Sequence, residues 1–202
     1  MLGTIQTEVL APSLIEATEA ASLAISAAGA DGQGHLTVDI RADRAVLRLQ
    51  SAEAGWVTGR DIRLAHRVSE ALRARGLHTT PGNGSVQAFE IAIDALDIPA
   101  VRSFWKAITG YVDEPGSELP AALIDPSGRG PAIWFQQMDA PRPQRNRIHL
   151  DIDVPYEAAK ARIDAATAAG GTLLSDREAP AFWVLADAEG NEACICTWQG
   201  RD

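Results

Sequence analysis

The chain has 202 residues, 46% of them hydrophobic and 22% charged, with a formal net charge of −9. This is the composition of an ordinary globular protein, with room for one large domain or two small ones, and it excludes a disordered or fibrous chain. The acidic balance argues against a partner that is nucleic acid or an anionic membrane, and no apolar run is long enough to cross a bilayer.

The N-terminus has no basic stretch ahead of an apolar core, so no secretion signal is expected. Cys194 and Cys196 are the only cysteines. Two apart in one predicted strand, they point the same way and are poorly placed to bridge each other, which fits a reducing cytoplasm.

In chain order, Ser13-Leu14-Ile15-Glu16 has the form of a capping box, and the helix it opens should stop at Gly29. Two alternating stretches, LTVDIRA and AVLRLQS, read as paired strands joined near Asp43. Thr58 and Asp61 should cap a second helix that presents Ile62, Ala65, Val68 and Leu72 on one face and ends at Gly76. The turn-rich segment 78–85 has no apolar periodicity, so the domain boundary is placed there, with a first domain over 1–79 and a second over 86–202.

The motifs V-D-I-R at 38–41, L-R-L at 47–49 and T-x-R-D-x-x-L-A at 58–65 resemble the pterin-4a-carbinolamine dehydratase family over roughly residues 13–75. The resemblance implies a small α+β domain. It also implies a His-His-Pro run and a third His for moving protons on a carbinolamine. Here the run is Gly34-His35-Leu36, and the third position holds Ala52 followed by Glu53. One imidazole cannot both hold the hydroxyl and shuttle the proton, so His35 and Glu53 mark at most a vestigial pterin site. The alternative is a loop histidine on a scaffold used for packing. His66 and His78 are assigned no role.

The second half of the chain repeats itself. Glu-Ile-Ala-Ile-Asp at 90–94 and His-Leu-Asp-Ile-Asp at 149–153 each run through a Pro into a helix that a Gly terminates, expected at 97–109 and about 156–169. Downstream, Asp125-Pro126-Ser127-Gly128 answers Asp187-Ala188-Glu189-Gly190, and each turn leads into another apolar strand. Two units in tandem each need the other to bury an apolar face. Alternation puts Phe89, Ile91 and Ile93 on one face of the first strand, with Glu90 and Ala92 on the other. In the second unit Ile148, Leu150 and Ile152 oppose His149 and Asp151. The apolar faces should pack on the helices, leaving an acid and an imidazole at equivalent outward positions.

The stretches 93–105, 125–136, 146–154 and 186–194 resemble the glyoxalase/bleomycin-resistance/dioxygenase superfamily, the vicinal oxygen chelate fold, over nearly all of residues 86–199. The resemblance implies two βαβββ modules, about 86–140 and 146–199, curled into one cup. It also implies metal ligands from the first and last strands of each module, which fall on Glu90, Trp134, His149 and Cys194. Trp134 cannot ligate. Glu90, His149 and Cys194 are legitimate donors for Zn²⁺, and Glu with His would also suit Fe²⁺ or Mn²⁺. The alternative is a metal-free cup in which Glu90 and His149 bind or protonate a ligand, or pair with each other.

Trp134 with Gln136, Trp183, and Cys196 with Trp198 are the candidate pocket lining for a flat aromatic or apolar small molecule, the competing role being core or dimer contact. Trp105 is expected in the core. Arg142, Arg145 and Arg147 read as a solvated connector between the modules. The expected architecture is therefore an α+β protein made of a degenerate pterin-dehydratase-like domain and a glyoxalase-like domain, and both resemblances imply a homodimer. Function stays open between a small-molecule binding protein, of the sequestering or resistance type, and a metal-dependent lyase, isomerase or dioxygenase. Carbinolamine dehydratase activity is a weaker third.

Overall fold

The computed structural model describes residues 4–81, 89–116, 122–141 and 148–200. The expected arginine connector lies outside them. The chain divides into two compact units, one made chiefly of the residues before Phe89 and one of those after it.

In the first unit, β1 (Ile5–Leu10), β2 (Leu36–Arg41), β3 (Arg44–Leu49) and the short β4 (Thr79–Thr80) form an antiparallel sheet in the order β2-β3-β1-β4. Helices α1 (Leu14–Ala28) and α2 (Gly59–Ala74) cover one face. The buried stripe of α1 is entirely alanine, at positions 17, 20, 21, 24 and 28, and these small side chains let α2 approach closely with Leu64, Val68 and Leu72. Gly29 ends α1 at φ 57°, a conformation that costs a residue with a Cβ more than it costs glycine.

The α2 cap forms as expected: the Asp61 carboxylate accepts from both the N–H and the hydroxyl of Thr58, at 2.7 Å each. The buried face matches the expected one at Val68 and Leu72, with Ala65 packed against the same core, and departs from it at Ile62. It runs through Asp61, Leu64, Val68 and Leu72, and Ile62 is exposed. Leu64, Val68 and Leu72 set the buried stripe; their helical spacing passes through Asp61, which meets His35, and leaves Ile62 off the face.

The second unit contains the repeat. Its first module is β5 (Glu90–Ala95), α3 (Ile98–Thr109), β6 (Val112–Asp113), β7 (Ala122–Ile124) and β8 (Ala132–Gln137), with sheet order β5-β8-β7-β6. Its second is β9 (Leu150–Asp153), α4 (Tyr156–Ala168), β10 (Thr172–Ser175), β11 (Phe182–Ala186) and β12 (Glu192–Cys196), with order β10-β11-β12-β9. In both, the first strand pairs parallel with the last and every other pairing is antiparallel. Both modules are βαβββ, and β5 and β9 are left as edge strands.

One core serves both modules. Val101, Phe104, Trp105 and Ile108 of α3 meet Ala159 and Ala166 of α4, with Ile93, Ile133 and Phe135 from one sheet and Leu185, Ala193 and Ile195 from the other. Fully burying a side chain of the size of Phe104 or Ile108 stabilises by about 1.5–3 kcal/mol. Two polar links fasten the modules as well. The buried Trp105 indole donates to Asp187 at 3.0 Å, and Arg162 of α4 donates to the Ile108 carbonyl at 3.1 Å. Among the described residues, no helix is long and apolar enough to cross a membrane.

Candidate functional site

Strand pairing decides which side chains share a face. In the second module Cys194 stands opposite Asp151 across the parallel β12–β9 pair, while Ala193 and Ile195 turn into the core. His149, one residue before β9, has the same parity as Asp151. The result is three metal-type donors of different chemistry, the His149 imidazole, the Asp151 carboxylate and the Cys194 thiol, with one ligand atom each all within 4.8 Å of one another. His149 Nε2 lies 3.3 Å from Asp151 Oδ1, both side chains are about half exposed (49% and 57%), and Cys194 is buried behind them. Burial, with the adjacent Asp151 carboxylate, pushes the Cys194 thiol up to about 12, so without a cation it stays protonated at neutral pH.

This trio differs in one member from the expected set. Glu90 opens β5 of the other module, opposite Ala132, and is not one of the three. Asp151, two residues from His149 on the same strand edge, stands in that place. At the positions of the first module equivalent to His149, Asp151 and Cys194 the chain has Glu90, Ala92 and Trp134, and Ala92 pairs with Trp134 just as Asp151 pairs with Cys194. Imidazole, carboxylate and thiolate suit Zn²⁺, and small side-chain rotations would bring the three donors to ligand distance, so the residues present fit a divalent cation.

A groove of about 720 Å³ runs along the two edge strands. Its apolar walls include Ile91 and Ile93 of β5, Leu150 of β9, and Met138. Trp105 reaches it from the core, and among the described residues its polar rim carries Asp94, His149, Glu189 and Glu192. Of the trio only His149 also lines this groove. Glu189 is fixed there just ahead of α3, whose N-cap is Asp97: its carboxylate accepts from Leu96 N–H at 2.8 and 3.0 Å and from Asp97 N–H at 2.7 Å. A carboxylate at a helix N-terminus is stabilised by the helix dipole and by the unsatisfied N–H groups there.

The candidate pocket side chains fall elsewhere. Trp134 and Gln136 lie on the outward face of β8 and do not line the groove. Trp183 pairs with Ile195 and therefore points to the core side, where it packs. Cys196 is buried beside Cys194, and Trp198 lies beyond the end of β12 with 75% of its surface exposed. Phe89 and Ile148, expected on the core faces, precede the first residues of β5 and β9 and are exposed. Asp151 and the groove-facing role of Trp105 were not expected as site features. Parity was the available signal for the first; nothing in the sequence signals the second.

In the first unit, His35 Nδ1 lies 2.8 Å from Asp61 Oδ1, with Asp61 fully buried and the imidazole 12% exposed. A carboxylate partner makes Nδ1 the donor. Burial pushes the Asp61 carboxyl up, but hydrogen bonds from Thr58 and His35 outweigh it and hold the group below its usual range. Glu53 lies exposed in the turn after β3 and is not the partner of His35.

A family model described as a glyoxalase-like domain matches residues 90–196, just over half of the chain. None of the curated proteins matches. Among solved structures, a glyoxalase/bleomycin resistance protein/dioxygenase family enzyme from Burkholderia phytofirmans PsJN is 23% identical, with a TM-score of 0.44 over 54% of this chain and 95% of its own. A glyoxalase-related enzyme from Fulvimarina pelagi is 18% identical, with a TM-score of 0.44 over 56% and 88%. The fosfomycin resistance protein FosX from Mesorhizobium Loti is 7% identical, with a TM-score of 0.42 over 56% and 92%.

Proposed function

We propose, from the premise that this chain belongs to the glyoxalase-like domain family, that it binds a small molecule in the groove between β5 and β9, as a sequestering or resistance-type protein. The observation that carries this reading is the make-up of the groove: apolar walls, an acidic rim, and the His149 imidazole at the point where groove and donor cluster meet. Such a surface favours a ligand with an aromatic or apolar body and a hydrogen-bond-donating group. His149 supplies an acceptor nitrogen, and Glu189, held by Leu96 and Asp97, keeps negative charge fixed at the rim.

The donor trio favours a second reading, a metal-dependent lyase, isomerase or dioxygenase. His149, Asp151 and Cys194 would hold the ion, and a bound divalent cation would polarise an oxygen of the substrate. Holding it requires Cys194 to give up its proton, so affinity should rise with pH. Carbinolamine dehydratase activity is left out of the proposal because His35 Nδ1 is committed to Asp61. A homodimer belongs to the proposal through the family resemblance, and light scattering on the purified chain checks it.

Two measurements on protein purified without chelator separate the readings. Saturable quenching of tryptophan fluorescence by a cationic aromatic dye such as thioflavin T, with no stoichiometric metal by elemental analysis, supports the binder. Stoichiometric Zn, Fe or Mn that is lost in His149→Ala supports the enzyme. Absence of both defeats the proposal.

A further inference from the structure

The first unit contains a local reversal of the protein's acidic charge. Arg60, Arg63 and Arg67 of α2 are spaced i, i+3 and i+7, so the three guanidiniums rise from one face of the helix. They line, with Asp31 and the buried Leu64, a cavity of about 440 Å³.

The outer two arginines are braced. Asp31, on the 3-10 turn Gly29–Gly32 that follows α1, accepts from Arg60 at 3.0 Å through one oxygen and from Arg67 at 3.1 Å through the other. Arg67 donates also to the Ala28 carbonyl at the end of α1, at 2.7 Å. Arg63, between them, forms no ion pair among the described residues. One carboxylate thus faces three guanidiniums, leaving two positive charges uncompensated in a chain of net charge −9. A concave surface lined by one sign of charge raises the local concentration of counter-ions, here anions.

We propose that this cavity is a binding site for the phosphoryl group of a soluble phosphate monoester. The planar forks of Arg60, Arg63 and Arg67 match tetrahedral phosphate oxygens, and the two excess positive charges match its dianion. The cavity exceeds the volume of a bare phosphate, which leaves room for the attached organic group, and the flat guanidinium faces can stack against it. Asp31 works as a template: it holds Arg60 and Arg67 in place so that less side-chain freedom is lost when the ligand arrives. The site lies wholly within the first unit and does not depend on the reading of the groove around His149.

The test is titration of the full-length chain with phenyl phosphate, followed by calorimetry and backbone NMR at constant ionic strength, with inorganic phosphate and sulfate in parallel. Saturable 1:1 binding is expected, tighter for phenyl phosphate than for either inorganic ion, with shifts on α2 and the turn at Asp31. Arg63→Ala should weaken it about tenfold or more, the loss of one charge-assisted contact. Arg63 has no internal ion pair, so its loss should leave the melting temperature without ligand unchanged, and Arg63→Lys should recover part of the affinity. Lack of saturation by phenyl phosphate, or affinity indifferent to Arg63→Ala, would overturn the proposal. So would binding seen only to phosphatidylcholine vesicles that contain phosphatidic acid, which would assign the same phosphate chemistry to a lipid headgroup.

Discussion

The two modules of the second unit are built alike and equipped differently. In each, an aspartate organises the turn before the last strand. Asp125 accepts from the N–H groups of Ser127, Arg129 and Gly130, and Asp187 from those of Glu189 and Asn191. Each first strand pairs parallel with its last strand, in equivalent register. On the outward faces the likeness stops: Glu90, Ala92 and Trp134 in one module stand where His149, Asp151 and Cys194 stand in the other. Residues that shape the backbone have to be the same in both copies because the turn and the sheet are the same. Side chains on the free face answer to no such requirement, so one copy can carry chemistry while the other serves as wall and support.

The comparison is broken most sharply at the paired aspartates. Asp187 is buried and accepts four hydrogen bonds, adding the Trp105 indole at 3.0 Å and the Asn191 amide at 2.8 Å to its two turn N–H groups. Asp187→Ala would leave the buried Trp105 indole without its acceptor and release the turn N–H groups, and should cost about 3 kcal/mol in urea denaturation. Asp125→Ala, in a turn open to water, should cost about 1 kcal/mol. Equal losses would mean that the link between the modules carries no energy.

Glu189→Ala removes the acceptor of the Leu96 and Asp97 N–H groups ahead of α3 and should cost about 1 kcal/mol, while weakening a dye that binds the groove. A smaller effect is read by pH at the first of these turns. Hydrogen bonding from Ser127, with further backbone N–H donors, lowers the Asp125 carboxyl from 3.8 to about 2. A folded-state value below the unfolded one stabilises fully above about pH 4, and that contribution is lost as pH falls towards 2. The stability gap between the native chain and Asp125→Asn should therefore narrow between pH 5 and pH 2.5.

Much of the scaffold could be read from local chemistry. The stop at Gly29, the Thr58–Asp61 cap, the two strand–Pro–helix repeats and the Asp turns all follow from residues acting on their own neighbourhood. The errors come from contacts that sequence spacing does not contain. Ile62 was expected inside and is out, because the buried stripe runs through Leu64 and the Asp61 position, where a carboxylate is tolerated by pairing with a histidine 26 positions away. Trp183 was a candidate pocket residue and packs on the core, because its parity is fixed by pairing with Ile195. Alternation put His149 and Asp151 on one face; that Asp151 rather than Glu90 meets Cys194 depends on the β9–β12 register, which no local pattern specifies.

The central claim is that a ligand in the groove between β5 and β9 is anchored by His149 of the second module and not by Glu90 of the first. The most direct test compares the affinity of thioflavin T, read by tryptophan quenching, for the native chain, His149→Ala and Glu90→Ala. Both residues are exposed, so neither variant should disturb folding, and circular dichroism checks this. The account predicts at least a tenfold loss in His149→Ala and an unchanged affinity in Glu90→Ala. Equal losses in the two variants, or an affinity that His149→Ala leaves untouched, would contradict it.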